Sequence, residues 1–188
     1  MKIRVHWFGR RGQGAWDEQV ETYRGRVQRR WPAEDRPLRP CAGGRADDPR
    51  RVLQKEAQVI RRSLEEGWPL VVLDERGRQA TSEDFAHRLS DFENRSTPGL
   101  DFVVGSDLGL ARELAEGANL VLSLSLMTLP HQIARLLLWE QLFRATHILG
   151  GFFTRDLEEF DLGEYSDNAV FNFVPDGSPV TVTRDVVT

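Results

Sequence analysis

Five short apolar segments alternate with five helix-like segments along most of this chain of 188 residues. Alternation of this kind restricts the fold more than any other feature, because parallel strands need crossover helices that cover both faces of the sheet. We therefore predict an α/β fold with a mostly parallel sheet and helices on both faces. The predicted strands lie at residues 3–8, 37–41, 68–73 and 100–104 and at a segment that ends near 125.

The stretch at residues 122–149 combines the last strand, a tight turn and a long helix, and it reads LSLSLMTLPHQIARLLLWEQLFRATHIL. The turn runs through residues 126–128, with Thr128 as the expected N-cap and Pro130 in the first helical turn. In an open α/β sheet, ligands bind outside the carboxyl ends of strands, where helix N-termini and free N–H groups gather. We expect a ligand site at this turn.

The helix after this turn carries apolar side chains around most of its circumference, which is unusual for a surface helix. One side can pack on its own sheet and the other on a second subunit. The pattern therefore predicts a dimer interface beside the ligand turn, with Trp139 expected at the interface between subunits. The apolar residues are Ile133, Leu136, Leu137, Leu138, Trp139, Leu142 and Phe143.

The charge is distributed unevenly along the chain. Residues 1–62 hold 16 Lys and Arg against 8 Asp and Glu, whereas the remainder holds 9 against 21. A basic segment on an acidic protein suggests a surface for an anionic partner such as nucleic acid. The alternative is that arginines are scattered without function, since Lys2 and Lys55 are the lysines of this chain.

The single cysteine, Cys41, excludes an internal disulfide and a multi-cysteine metal site. Such cysteine usage favours a reducing cytosol. No apolar run approaches the roughly 18 residues that a membrane span needs. We therefore expect a soluble cytoplasmic protein without a metal and without a membrane partner.

The character of the chain changes after Arg155. Residues 156–188 hold eight acids against Arg184 alone, and apolar residues flank the turn sequence PDGS at 175–178. This pattern predicts a C-terminal β-hairpin extension. The predicted domain organisation is a core at residues 1–155 and an acidic extension at residues 156–188.

Three motifs together resemble the ribosomal RNA large subunit methyltransferase H family, a group of small SPOUT-class enzymes. They are VVLDERGR at 71–78, VVGSDLGL at 103–110 and LSLSLMTLPHQIARLLLWEQLFRA at 122–145. The last motif is long and ungapped, and the similarity covers about residues 1–155. The resemblance implies a trefoil-knotted α/β domain, a homodimer and S-adenosylmethionine as methyl donor. It further implies that the substrate is a pseudouridine of large-subunit ribosomal RNA, methylated at N3 in the assembled ribosome.

The resemblance also assigns binding residues. A donor of this kind fits an apolar slot and bonds to main-chain groups, so small and apolar residues matter there. Leu73 and Leu124 would serve equally well as core residues of their strands. The expected cofactor-binding residues are Leu73, Gly105, Leu124, Ser125, Leu126, Met127, Thr128 and Leu129, and the candidate RNA-binding residues are Arg10, Arg11, Arg45, Arg50 and Arg51.

The chain departs from the family where catalysis is concerned. The family normally ends in a Tyr-His-Arg sequence, whereas this chain has Phe153, Thr154 and Arg155. A positioned acid or base typically contributes ~10²- to 10⁴-fold to a proton transfer. We therefore name His131 and Arg155 as catalytic candidates. His131 has a structural alternative, an imidazole bonded to a nearby carbonyl.

The sequence is compatible with three functional hypotheses. The first is an S-adenosylmethionine-dependent methyltransferase acting on ribosomal RNA. The second is a catalytically degenerate dimer that binds RNA or a ligand without turnover, which the acidic extension and the altered Tyr-His favour. The third retains the chemistry and changes the RNA substrate. Asp107, in the turn after the fourth strand, would either repel RNA or point to solvent.

Overall fold

The computed structural model describes residues 1–12, 14–41 and 48–150, and the predicted hairpin at 156–188 lies outside them. Within these described residues, five strands and five helices alternate, as the sequence predicts. In chain order they are β1 (Lys2–Phe8), α1 (Asp17–Val27), β2 (Ala33–Leu38), α2 (Pro49–Ser63), β3 (Leu70–Arg78), α3 (Ser82–Asn94), β4 (Gly99–Val104), α4 (Arg112–Glu116), β5 (Leu120–Leu122) and α5 (His131–Leu149).

The strands form one sheet in the order β2-β1-β4-β3-β5, and every neighbouring pair is parallel. The predicted second strand at 37–41 is wrong in position, because Ala33 already pairs with Ile3 of β1 and Leu38 pairs with Phe8. The sequence of β2 contains charged residues, so the strand does not appear as an apolar segment. The carboxyl ends of all five strands meet at one edge of the sheet, where the predicted ligand site should lie.

Helices cover both faces of the sheet. Neighbouring residues of β1 show this, because side chains alternate between the two faces of a strand. Trp7 lies under Arg135 of α5, while His6 contacts Ser63 of α2 on the opposite side. Helix α5 packs between α1 and α3, and α4 joins α2 in an apolar cluster on the other face.

The long helix α5 is buried more completely by its own subunit than the sequence suggests. Trp139 is 0% exposed, and its indole N–H donates to Asp35 Oδ1 at 2.9 Å. The expectation that Trp139 lies at a subunit interface is therefore wrong, because this side chain belongs to the core. Leu137 is exposed on α5, whereas Ile133 and Leu136 are partly buried.

A buried ionic cluster joins β1 to β4 on the α2 side of the sheet. The Asp101 carboxylate accepts from Arg4 Nε at 2.7 Å and from Arg4 Nη2 at 2.9 Å, and His6 Nε2 lies 2.9 Å from Oδ1. Burial alone would raise the pKa of Asp101, but hydrogen bonds from His6, Arg4 and the Glu65 backbone outweigh it and lower this pKa to about 2. The carboxylate therefore stays ionised inside the protein.

Acidification should reveal this cluster. A folded-state pKa below the ordinary 3.8 stabilises the protein fully above that value, and the contribution is lost as the pH falls toward 2. The expected loss of unfolding free energy between pH 5 and pH 2 is about 2 kcal/mol from this group. Urea denaturation at a series of pH values measures it. Asp101→Asn should be less stable at pH 5 and should lose less stability on acidification, and an equal acid-induced loss in both proteins would contradict the assignment.

Candidate functional site

A cavity of about 630 Å³ opens at the carboxyl ends of β3, β4 and β5. Its walls come from three segments: the polar end of β3, the turn after β4, and the stretch that connects β5 to α5. The volume lies within the range of small-molecule and cofactor sites. The lining residues are Leu73, Asp74, Glu75, Arg76, Val104, Gly105, Ser106, Asp107, Leu108, Gly109, Leu110, Leu122, Ser123, Leu124, Ser125, Met127, Thr128, Leu129, Pro130, His131 and Ala134.

The structure brings seven of the eight expected cofactor-binding residues to this cavity. Leu126 is the exception: its side chain is 86% exposed, and it is not among the lining residues. Leu73 is nearly buried and still contributes to the wall, so it serves the core and the cavity together. The seven residues that line the cavity are Leu73, Gly105, Leu124, Ser125, Met127, Thr128 and Leu129.

The connection between β5 and α5 is shaped by its own side chains. Ser123 Oγ donates to the Ser125 carbonyl at 2.8 Å, and the Met127 N–H donates to Ser125 Oγ at 2.9 Å. The predicted N-cap role of Thr128 is wrong, because its hydroxyl donates to Glu75 Oε2 at 2.7 Å and the helix begins after Pro130 without a side-chain cap. Thr128 instead ties this connection to the β3 wall.

The β3 wall of the cavity is a short segment in which β3 leaves its pairing with β5 and then pairs with β5 again. Leu122 of β5 pairs with Leu73 and again with Arg78, so residues 74–77 loop out between the two contacts. Asp74 closes this loop, since it accepts from the Arg76 N–H at 2.9 Å. Burial raises the pKa of Asp74, but the Arg76 backbone and side chain outweigh it and hold that pKa below its ordinary value.

Gly77 is the residue that lets the loop approach β5. A Cβ at this position would lie 2.7 Å from the Leu122 carbonyl carbon and 2.9 Å from the Ser123 nitrogen. Backbone atoms cannot move aside as a flexible side chain can. The glycine is therefore required by the close contact between the loop and β5.

The turn after β4 is closed in a similar way. A Cβ at Gly105 would lie 2.6 Å from the Gly109 carbonyl oxygen, so the turn at residues 105–109 folds tightly on itself. Ser106 Oγ donates to the buried Glu56 carboxylate of α2 at 2.8 Å, which anchors the turn from below. The resulting turn presents Asp107 to the cavity.

His131, the first residue of α5, lies across the cavity mouth from that turn. Its Nδ1 is 2.8 Å from Asp107 Oδ1, and the histidine side chain is 18% exposed whereas the aspartate side chain is 86% exposed. The structural alternative for His131 was a hydrogen bond to a nearby carbonyl. The structure instead shows a hydrogen bond to the Asp107 carboxylate. Asp107 neither stands alone nor points only to solvent.

The predicted RNA-binding arginines lie farther apart than the predicted cofactor-binding residues, which share one cavity. Arg10 and Arg11 are exposed in the turn after β1, and Arg11 Nη2 donates to the Asp35 carbonyl at 2.5 Å. Arg50 and Arg51 are exposed at the start of α2. Both pairs follow carboxyl ends of strands and so lie at the cavity edge of the sheet. Arg45 and Arg155 lie outside the described residues.

Sequence reasoning missed a buried charged residue near the site, Arg135, which is 3% exposed. Its guanidinium donates to Asp35 at 3.0 and 2.7 Å and to Asp17 at 2.6 Å, and it lies 3.6 Å from the centre of the Trp7 ring. The signal was present in the sequence, because Arg135 sits three residues before Leu138 and four before Trp139, on the buried helical face. A charge at such a position implies a buried partner.

Among the described residues, no group of histidine, cysteine and acidic side chains is arranged to hold a metal ion. None of the described helices is long and apolar enough to cross a membrane.

Comparisons with known proteins agree with this geometry. A family model described as predicted SPOUT methyltransferase matches residues 1–152. The chain is 38% identical over 154 residues to ribosomal RNA large subunit methyltransferase H of Rhodopseudomonas palustris (strain BisB5), covering 80% of this chain and 96% of that protein. The protein of the same name from Geobacter sulfurreducens is 35% identical over 150 residues, with coverage of 80% and 96%.

A solved structure supports the fold alone. The crystal structure of a probable methyltransferase from Bordetella pertussis Tohama I matches with a TM-score of 0.50 at 13% identity, covering 77% of this chain and 95% of that chain. The family model spans the sheet, the described helices and every wall of the cavity. This chain therefore belongs to the SPOUT methyltransferase family, within which it is similar to the proteins named ribosomal RNA large subunit methyltransferase H.

Proposed function

We propose that this protein transfers a methyl group from S-adenosylmethionine to N3 of a pseudouridine in large-subunit ribosomal RNA. The observation that carries the proposal is the cavity at residues 73–76, 104–110 and 122–131, which coincides with the three motifs shared with the family. The relatives are named for methylation of large-subunit ribosomal RNA, and the chain spans nearly their full length.

The residues of the cavity fit the proposed donor. Leu73, Leu122 and Leu129 supply apolar surface for an adenine ring, and the connection after β5 offers main-chain groups. Bound there, the donor supplies an electrophilic methyl group on a sulfonium. The protein's own contribution is to hold that group, to exclude water and to receive the proton that N3 loses, and His131 is the proposed receiver.

RNA binding is proposed for the arginines at the same edge of the sheet. Arg10, Arg11, Arg50 and Arg51 are exposed beside the strand ends, and phosphate contacts from such residues supply most non-specific affinity. From the sequence alone, Arg45 and Arg155 complete the proposed set, with Arg155 holding RNA near the reacting base.

We also propose the trefoil knot for this chain. The support is local: Leu122 pairs with Leu73 and again with Arg78, and Gly77 lies against the Leu122 backbone. Such close packing of β5 against a bend of β3 supports the threading that the family resemblance implies.

A homodimer is proposed on the basis of exposed apolar residues in the turn after β4, in the connection that precedes α5 and on α5 itself. Leu126 is 86% exposed and Met127 76% exposed, and Leu108 and Leu137 are also exposed. A second copy covering them would complete the site. Light scattering should give a dimeric mass for the wild type, and Leu137→Glu should shift it toward the monomer. Gln58→Glu adds the same charge on the opposite face and should leave a dimer, whereas a monomeric wild type would refute the proposal.

Two assays separate the functional hypotheses. Calorimetry should detect S-adenosylmethionine binding, and no binding at millimolar donor would contradict every methyltransferase hypothesis. Labelled methyl transfer to ribosomes should then give one methyl group on a pseudouridine. Binding without transfer to any RNA would support the degenerate dimer, which the acidic residues 156–188 and the replacement of Tyr-His by Phe153 and Thr154 favour. Transfer to a different RNA would support the third hypothesis.

A further inference from the structure

We propose that Asp107 is a positioning residue that holds His131 in the form that accepts the substrate proton. The inference rests on the proposed function and assigns a residue to its proton transfer. Both residues line the cavity, and His131 Nδ1 lies 2.8 Å from Asp107 Oδ1. They belong to different walls, since Asp107 is in the turn after β4 and His131 begins α5. The hydrogen bond therefore fixes the imidazole relative to both walls.

The chemistry of the pair determines which ring nitrogen is the base. An ionised carboxylate only accepts hydrogen bonds, so the proton of the neutral imidazole sits on Nδ1. Nε2 then carries the lone pair that can take a proton. The orienting bond also selects one tautomer, as the second partner of a catalytic histidine generally does.

Asp107 also offsets the unfavourable position of a positively charged His131 at a helix N-terminus. His131 is the first residue of a 19-residue helix, and the N-terminus of a helix disfavours a cation. The imidazolium that forms after proton transfer would be destabilised there without a neighbouring anion. Asp107 supplies that anion at hydrogen-bonding distance, 2.8 Å from Nδ1.

The other charged side chains of the cavity wall are already engaged. Asp74 pairs with Arg76, and Glu75 accepts from Thr128. Glu56, below the turn after β4, accepts from Ser106. Within the described part of the wall, the Asp107–His131 pair is the arrangement that combines a base with an orienting carboxylate.

The N3–H bond of the base breaks and its proton goes to His131 Nε2, while the N3 electron pair forms the new bond to the methyl carbon. The carbon–sulfur bond breaks, and its electrons remain on sulfur as a neutral thioether. The pair ends as imidazolium and carboxylate, and the proton leaves to water.

Single-turnover methyl transfer with the full-length protein and intact ribosomes tests the proposal. His131→Ala should lower the transfer rate constant by ~10²- to 10⁴-fold, as expected for the loss of a general base. Asp107→Asn should lower it by about tenfold or more, within that range, because the amide can donate to Nδ1 and place the proton on Nε2. Donor affinity measured by calorimetry should stay within about threefold of the wild type in both variants, since the proposed role concerns the proton and not the donor.

The pH–rate profile distinguishes positioning from structure. Asp107→Asn should move the acid limb to lower pH, because the imidazolium loses its anionic partner, and Asp107→Glu should restore much of the rate. Asp74, Glu75 and Arg76 also face the cavity, and they remain in all variants. Glu83→Gln, an exposed residue of α3, is the matched control and should behave as wild type.

The outcomes are distinct. If the wild type transfers no methyl group, the proposed function fails before the pair is tested. If the wild type is active and His131→Ala or Asp107→Asn keeps its rate and profile, the inference is overturned while the function stands. Loss of donor affinity in parallel with loss of rate also overturns it, because that result assigns the pair a structural role.

Discussion

Arg135→Met should lower the free energy of unfolding by about 3–5 kcal/mol, because removing one partner of a buried ion pair leaves the other charge uncompensated. Asp35 is 3% exposed, and both of its oxygens accept from Arg135, at 3.0 and 2.7 Å. After the substitution, Asp35 would retain the indole N–H groups of Trp7 and Trp139. Methionine has a volume similar to that of arginine. The loss of unfolding free energy therefore reports the missing charge more than a cavity. Urea denaturation monitored by tryptophan fluorescence gives the value.

Two further variants make the measurement specific. Arg144 lies on the same helix and pairs with Glu140 near the surface, so Arg144→Met should cost less than about 1 kcal/mol. The double variant with Asp35→Asn should recover part of the Arg135→Met loss, since the stranded charge is removed. Equal losses for the Arg135 and Arg144 variants would contradict the buried-pair interpretation.

Arg135 also connects α5 to the glycine-rich turn after β1, through Asp17. Asp17 accepts from Arg135 at 2.6 Å and also from the N–H groups of Gly12 and Gly14, at 2.5 and 3.2 Å. Burial raises the pKa of Asp17, but Arg135 and the two backbone donors outweigh it and lower this pKa below its ordinary value. The N–H groups of Gly12 and Gly14 are thus engaged by Asp17.

The sequence predicted the architecture because local signals agree with the global fold. The helix starts at Asp48 and Thr81 show this, since each is a residue type that favours a helix N-cap and each side chain accepts from a backbone N–H of the helix that follows it. The partners of the buried charges could not be predicted, because they are distant in sequence: Arg4 meets Asp101 across 97 residues, and Arg135 meets Asp35 across 100. No periodicity reports such a contact.

The candidate site was predictable to the extent that it is local. The connection after β5 follows from strand, turn and helix in one stretch, and its position at the strand ends follows from topology. Thr128 was misassigned because Glu75, 53 residues away, takes its hydroxyl. Asp107 and His131 are 24 residues apart and meet only through the fold, so the pair was invisible in the sequence.

Gly77→Ala should disrupt the loop at residues 74–77 and the cavity together. Its Cβ would lie 2.7 Å from the Leu122 carbonyl carbon and 2.9 Å from the nitrogens of Leu122 and Ser123. Each of these atoms is backbone of the chain that passes the loop, so the clash can be relieved only if β5 or the loop moves. Overpacking of this kind typically costs about 1–3 kcal/mol and occasionally more. We expect the upper end of that range, because backbone must shift on either side.

The functional effect of Gly77→Ala should exceed its cost in stability. Leu122, Ser123, Asp74 and Arg76 all line the cavity, so any shift that relieves the clash changes the shape of the proposed donor site. Donor affinity should fall at least tenfold, about 1.4 kcal/mol or more in binding free energy, measured by calorimetry beside urea denaturation. Gly25→Ala is the matched control, because its Cβ meets nothing within 4 Å and alanine favours a helix. If Gly77→Ala kept wild-type stability and donor affinity, the loop would not contact the β5 backbone as closely as described, and the proposed threading would lose its support.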